Sequence, residues 1–410
     1  MSRPARILVL GAGFGGLELS AALSSALGED ADVTLMDKAP GFVFGFSKLD
    51  VMFGKRSLAE VFHLYRDVSK PGLRFVQATV RSIDPLAKRV ETNVGSFRGD
   101  VIVLALGADV DPGATPGLVE AGCEFYTNEG AFATSEAIAQ FSGGRVIVGV
   151  TSAPFKCPPA PSETALLMHD YLAARGLRSR SAVELVMPLP TPIPPSPQAS
   201  AALLAAFAEQ GIGWHPGLSV DRLDPGRKVA VLSDGTEMPY DLFLGIPRHR
   251  VPAAVEASGL TVDGWVPVDP HTLETGFPGV YALGDVTSVG TPKAGAFSEG
   301  QALVVASQII SQLRGTPGAI TYDGRGTCYM EFGRSLVGRI NIAFPPGRAP
   351  FGNLEGPSPR LAAAKVDFAA SRIHRWFDHR RDHGHPAWQS WSSHGVEHTP
   401  RRSFHGAYDD

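Results

Sequence analysis

The chain has 410 residues, 44% of them hydrophobic and 19% charged, with a formal net charge of −4. That length allows two or three domains with large cores. The charge balance excludes a strong basic field for nucleic acid, no apolar run is long enough to span a bilayer, and three cysteines are too few for a structural disulfide framework.

The opening MSRPARILVLGAG enters a strand directly, without an apolar segment and small-residue cleavage site, so a cytoplasmic location is expected. Residues 6–10, RILVL, suit a buried parallel strand. GAGFGG follows, placing Gly11, Gly13 and Gly16 in G-x-G-x-x-G spacing ahead of a helical pattern. Such glycines permit a tight turn and a close backbone approach to a pyrophosphate, which the free N–H groups of the helix N-terminus then face. The next strand, DVTLMD, ends at Asp37, 21 residues beyond Gly16, where an acid can accept hydrogen bonds from a ribose 2′-OH. Strand, glycines, helix, strand and terminal acid together predict a dinucleotide site, without separating NAD from FAD.

Residues 101–108, VIVLALGA, form a further apolar run that includes Gly107. Cys123, in EAGCEFYTNEG, reads as a bystander thiol. A second α/β unit follows: strand RVIVGV, helix SETALLMHDYLAARG, strand AVELVMP, helix QASAALLAAFAEQG, a hairpin arm KVAVLSDG and a closing strand DLFLGIP. Its first loop reads VTSAPFKCPPAPSE where a nucleotide cradle would need glycines. Prolines lack N–H groups and obstruct a phosphate, so this unit is expected to have lost its nucleotide and to offer Cys157 instead. Further on, GVYALGDVT is an apolar strand ending at Gly284 and Asp285, followed by TPKAGAFSEGQALVVASQII. The expected organisation is a split first domain (1–110 and 265–320), a second, degenerate unit (111–264), a C-terminal segment (321–378) and a flexible tail (379–410) holding most of the late histidines. No metal site is expected in that tail.

The segments VIVLALGA and GVYALGDVT resemble the second and third FAD-contact motifs of two-dinucleotide-domain flavoproteins. That resemblance implies an α/β chain with two Rossmann-like domains. It implies FAD, with Asp285 on the ribityl hydroxyls and Lys293, or the helix N-terminus after it, stabilising negative charge on the reduced ring. PFKCPPAPSE and GTCYMEFG are similar to the two redox-cysteine segments of the sulfide:quinone oxidoreductases and the flavocytochrome c sulfide dehydrogenases. The resemblance spans about residues 5–345. It implies a Cys157/Cys328 disulfide relay that takes sulfur from sulfide, with Glu163, six residues after Cys157, moving a proton. The stretch GFVFGFSKLDVMFG lacks the cysteine of covalent-flavin members, so FAD is expected to be non-covalent. A third cysteine of some members aligns near Tyr126, and histidines of others are replaced by Gly130 and a proline run.

The family also implies quinone as acceptor, reached from a membrane surface. LAAAKVDFAASRIHRWF (361–377) reads as a helix with Phe368, Trp376 and Phe377 beside Arg372 and Arg375. Such a helix suits peripheral contact with the inner face of the cell membrane, intramolecular packing or a homodimer contact about equally. The alternatives are a type II NADH:quinone reductase, which needs a glycine loop where the prolines stand, and a flavin-bound thiol sensor with little turnover.

Overall fold

The computed structural model describes residues 3–316 and 320–377; the tail expected over 379–410, with its histidines, lies outside the described residues. The first part of the chain supplies β1 (Ala5–Leu10), α1 (Phe14–Leu27), β2 (Ala31–Asp37), β3 (Leu73–Gln77) and β4 (Val101–Leu104). The middle supplies β5 (Cys123–Glu124), β6 (Gly144–Val150), α2 (Ala160–Ala174), β7 (Ser181–Met187), α3 (Pro197–Gln210), β8 (Ile212–Pro216) and β9 (Leu242–Ile246). Then come β10 (Val280–Ala282), α4 (Gly295–Arg314), β11 (Arg325–Glu331), β12 (Val337–Ala343), β13 (Phe351–Ser358) and α5 (Pro359–Phe377).

Two parallel sheets organise these elements. The first has the order β10-β4-β1-β2-β3, so a late strand completes a sheet begun by early ones. The second has the order β5-β9-β6-β7-β8. Strands buried on both faces explain the continuous apolar runs: Ile7, Val9, Leu10, Ile102, Val103 and Leu104 are all fully buried. A two-stranded ribbon, Asp109–Asp111 against Arg248–Arg250, crosses between the domains. Strands β11, β12 and β13 form an antiparallel sheet.

Glycine is required at two positions of the first turn. A Cβ on Gly16 would lie 1.8 Å from the Gly11 carbonyl oxygen, and Gly11 has φ +103 with the Ala105 oxygen 2.3 Å from its would-be Cβ. Helix α1 can therefore close directly onto β1 and β4. It also packs along α4, which carries the chain back from β10.

Of the three roles expected for helix α5, its aromatic tip takes intramolecular packing. Trp376 is fully buried, and Phe368, Ile373 and Phe377 pack against the same core. Its ring meets Phe14 at 5.8 Å, Phe42 at 5.6 Å and Phe44 at 6.3 Å. The indole N–H donates to Glu18 Oε2 at 2.6 Å, and Arg375 Nη2 lies 2.5 Å from the same oxygen. Arg372 pairs with buried Glu299 at 3.0 Å. The aromatic residues and both arginines are thus held by α1, α4 and the first domain. The physical reason is that α1 and α4 each bury a carboxylate that needs a cation. Among the described residues no helix is long and apolar enough to cross a membrane.

Candidate active site

The loop after β6 reaches across to the first domain. Cys157 N–H donates to the Lys293 carbonyl at 2.7 Å, and the Cys157 carbonyl accepts from Ala160 N at 2.8 Å as α2 begins. Cys157 itself has φ +51, a left-handed conformation unfavourable for a side chain. Such strain persists where surrounding structure fixes it, commonly at functional positions. Pro159 and Pro161 are compatible with this helix start, because the first turn has no N–H partners to lose.

Glu163 follows in the first turn of α2. It is buried, and its Oε1 accepts the backbone N–H of Glu331 at 3.0 Å, which ties the loop to β11, the strand carrying Cys328. Burial raises the Glu163 carboxyl to about 7, although Lys365 and the Glu331 N–H oppose the rise. Lys365 Nζ is itself 2.5 Å from Glu331 Oε1.

The two cysteines are free thiols, Cys157 exposed and Cys328 half-buried. Although Cys157 is open to solvent, protein surrounds it closely, and that desolvation raises its thiol well above the ordinary value. The negative charges of Glu163 and Cys328 add to the rise. Burial pushes Cys328 up to about 12, with Glu163 again contributing. Neither thiol is set up as a standing thiolate, so a base or a positive ligand has to supply what the resting protein does not. Cys123, on β5, is half-buried among core side chains, and burial raises its thiol as well.

Several atoms await a bound group of flavin-dinucleotide type. A Cβ on Gly13 would meet nothing within 4 Å, which leaves room for a pyrophosphate at the start of α1. Asp37 accepts from Ala12 N and Ala39 N, each at 2.8 Å, so its carboxylate is fixed at the end of β2 with lone pairs to spare. Gly107 and Gly284 both take positive φ, at +67 and +78. Asp285 Oδ1 is buried without a hydrogen-bond partner among the described residues, which a ribityl hydroxyl would supply. These features fit FAD. Lys293 is more constrained than expected: its Nζ donates to the Asp285 carbonyl at 2.6 Å and lies 3.2 Å from the Trp265 ring centroid. Burial lowers it to about 8.

Sequence reading missed four residues here. Lys48 Nζ donates to the Tyr126 carbonyl at 2.5 Å and Lys156 Nζ to the Ala108 carbonyl at 2.8 Å. Burial lowers both lysines, Lys48 to about 8. Tyr126 and His249 are buried with ring centroids 5.0 Å apart, edge to face. The available signals were a lysine within an apolar stretch (Lys48) and one adjoining Cys157. The structure also explains Gly130: a Cβ there would fall 1.9 Å from Glu124 Oε1.

A cavity of about 980 Å³ opens between α5 and the segment before Val61, lined by Phe44, Phe46, Val337 and Ile373 with Glu331 and Lys365 at its polar side. A second cavity, about 620 Å³, is lined by Arg145, Arg180 and Tyr240 at the starts of β6 and β7. That is the opposite end of β6 from the Cys157 loop, away from the strand ends where nucleotides bind in such sheets.

A model of the pyridine nucleotide-disulphide oxidoreductase family matches residues 162–308. The chain is 24% identical to a sulfide-quinone reductase of Aquifex aeolicus over 80% of this chain and 81% of the relative. It is 23% identical to the mitochondrial sulfide:quinone oxidoreductase of Mus musculus, over 81% and 76% respectively. Among solved structures, the sulfide:quinone oxidoreductase of Aquifex aeolicus superposes with a TM-score of 0.81 at 21% identity, covering 91% of this chain and 92% of that one. The chain accordingly has the two-dinucleotide-domain fold of that sulfide:quinone oxidoreductase structure, and in sequence it is similar to sulfide-quinone reductases.

Proposed function

We propose that this chain oxidises sulfide, or a related small thiol or persulfide, through Cys157 and Cys328 and passes two electrons to a quinone by way of non-covalently bound FAD. The observation that carries the reading is the meeting of the Cys157 loop, Glu163 and the Cys328 strand, joined by the Glu163–Glu331 hydrogen bond at 3.0 Å. In the oxidised form Cys157 and Cys328 form a disulfide. Sulfide attacks Cys157, the S–S bond breaks, and the electron pair leaves on Cys328 Sγ. Glu163, poised near neutrality, takes one proton from hydrogen sulfide, so that hydrosulfide is the attacking species and Cys328 leaves as a thiolate. FAD, held by Gly11, Gly13, Gly16, Asp37, Gly107, Gly284, Asp285 and Lys293, supplies the two-electron acceptor. The cavity beside α5 offers quinone an apolar slot with a buried Lys365–Glu331 pair at its side.

The type II NADH-reductase alternative is disfavoured by the Cys157 loop. Pro158, Pro159 and Pro161 withhold the N–H groups that a second pyrophosphate would use. A peripheral position on the inner membrane face would use the solvent side of α5, where Val366 is 65% exposed, and not its aromatic tip.

Anaerobic titration with sulfide should bleach the flavin band, and added quinone should restore it. Cys157→Ser and Cys328→Ser should each abolish bleaching while retaining FAD, and the double variant should be no worse than either. Retained bleaching in both single variants would refute the relay. Bleaching that quinone fails to reverse would favour the sensor reading.

A further inference from the structure

On the sulfur side of the site, two buried polar atoms have no hydrogen-bond partner among the described residues: the Tyr126 hydroxyl and His249 Nε2. His249 Nδ1 lies 2.9 Å from the Pro247 carbonyl, which can only accept, so Nδ1 carries the hydrogen and Nε2 presents a lone pair. The Tyr126 hydroxyl is a donor and its ring packs edge-on against His249. A buried donor and a buried acceptor on adjoining rings, both without partners among the described residues, are atoms that a ligand between them can satisfy.

The surroundings fix the ligand's charge. His249 faces Lys156, Lys293 and Lys48, and their positive charges, together with burial, hold it neutral by lowering it to about 3. Lys48 and the Tyr126 carbonyl are bonded directly. Cys157 and Glu163 lie near enough to Tyr126 to raise its phenol further, so the hydroxyl keeps its hydrogen. A neutral acceptor and a neutral donor therefore lie among three cations in the neighbourhood of Cys157. His249 is unsuited to carrying a proton there, but it is a permanent acceptor.

We propose that Tyr126 and His249 bind hydrosulfide and select it over thiolates, a reading that rests on the sulfide chemistry proposed above. Hydrosulfide has one S–H to give His249 Nε2 and sulfur lone pairs to accept from the Tyr126 hydroxyl. A thiolate lacks the S–H and would leave Nε2 buried and unpaired, the situation in which polar sites discriminate most strongly. Held this way, the sulfur directs a free pair at Cys157. The new S–S bond forms as the Cys157–Cys328 bond breaks. Its electron pair leaves on Cys328, and the hydrogen stays on the persulfide, still donated to His249.

The test is anaerobic stopped-flow bleaching of the FAD-loaded enzyme by sulfide and, separately, by methanethiolate. Tyr126→Phe removes only the hydroxyl, His249→Leu removes the acceptor, and His249→Gln restores one near the Nε2 position. His249→Leu should lower the sulfide-to-methanethiolate rate ratio by tenfold or more, mostly through weaker sulfide saturation. His249→Gln should recover part of it, and Tyr126→Phe should slow bleaching by both. FAD content and the flavin spectrum should stay as in the parent enzyme. An unchanged ratio in His249→Leu, with normal bleaching of the parent, refutes this proposal alone. Loss of FAD in His249→Leu and His249→Gln alike also refutes it, because Nε2 would then belong to the flavin. A parent enzyme that sulfide does not bleach refutes the sulfide chemistry itself.

Discussion

Replacing Trp376 tests the inward packing of α5. The indole is fully buried against Phe14, Phe42 and Phe44, and its N–H bonds Glu18. Removing a large buried aromatic side chain costs about 3–5 kcal/mol through lost transfer energy and the cavity left behind. A hydrogen bond to a charged group contributes about 1.5–3 kcal/mol more, although Arg375 remains on Glu18 to hold part of it. Trp376→Ala should therefore lose on the order of 5 kcal/mol, a large part of the 5–15 kcal/mol typical of a folded protein. Trp376→Phe should lose less than the Ala variant, because the smaller ring still fills most of the cage although the N–H is gone. Phe14 is the first residue of α1, so the Ala variant should also shed FAD more readily. Thermal melting followed by tryptophan and by flavin fluorescence reads both effects. A Trp376→Ala protein that melts within a degree or two of the parent, yet loses affinity for liposomes, would refute this reasoning and restore the lipid anchor.

Gly13→Ala should leave the fold intact, since a Cβ there meets no protein atom within 4 Å, but should weaken FAD retention after gel filtration. Glu163 is raised to about 7, so between the ordinary carboxylate range and about 7 the folded chain keeps a proton that the unfolded chain releases, and this group costs stability as pH rises through that window. As the base it is active above about 7: sulfide-driven bleaching should fall below that pH, and Glu163→Gln should flatten the limb, bleach roughly 100-fold more slowly, and melt higher than the parent at pH 8. Calorimetry should find no saturable NADH or NADPH binding at the proline loop; a micromolar dissociation constant would overturn that expectation. Val366→Asp should reduce flotation with anionic vesicles at low salt while leaving the melting temperature unchanged, and a parent protein that stays at the bottom of the gradient would rule out membrane docking by this face.

Local pattern determined much of this protein. The apolar runs at 6–10 and 101–104 are buried strands because parallel strands are covered on both faces, and the glycines at 11 and 16 are dictated by contacts closer than any Cβ allows. The cysteines, Glu163 and Asp285 were visible because their segments carry short-range motifs. Tertiary structure decided the rest, because the deciding forces join residues far apart in sequence. Composition marked 361–377 as amphipathic and basic, but only Glu18 and Glu299, on helices α1 and α4, determine that its arginines and Trp376 turn inward. Likewise, Tyr126 and His249 meet only because a two-stranded ribbon carries the chain back between domains, and burial beside three lysines, which no local pattern encodes, makes that histidine a neutral acceptor.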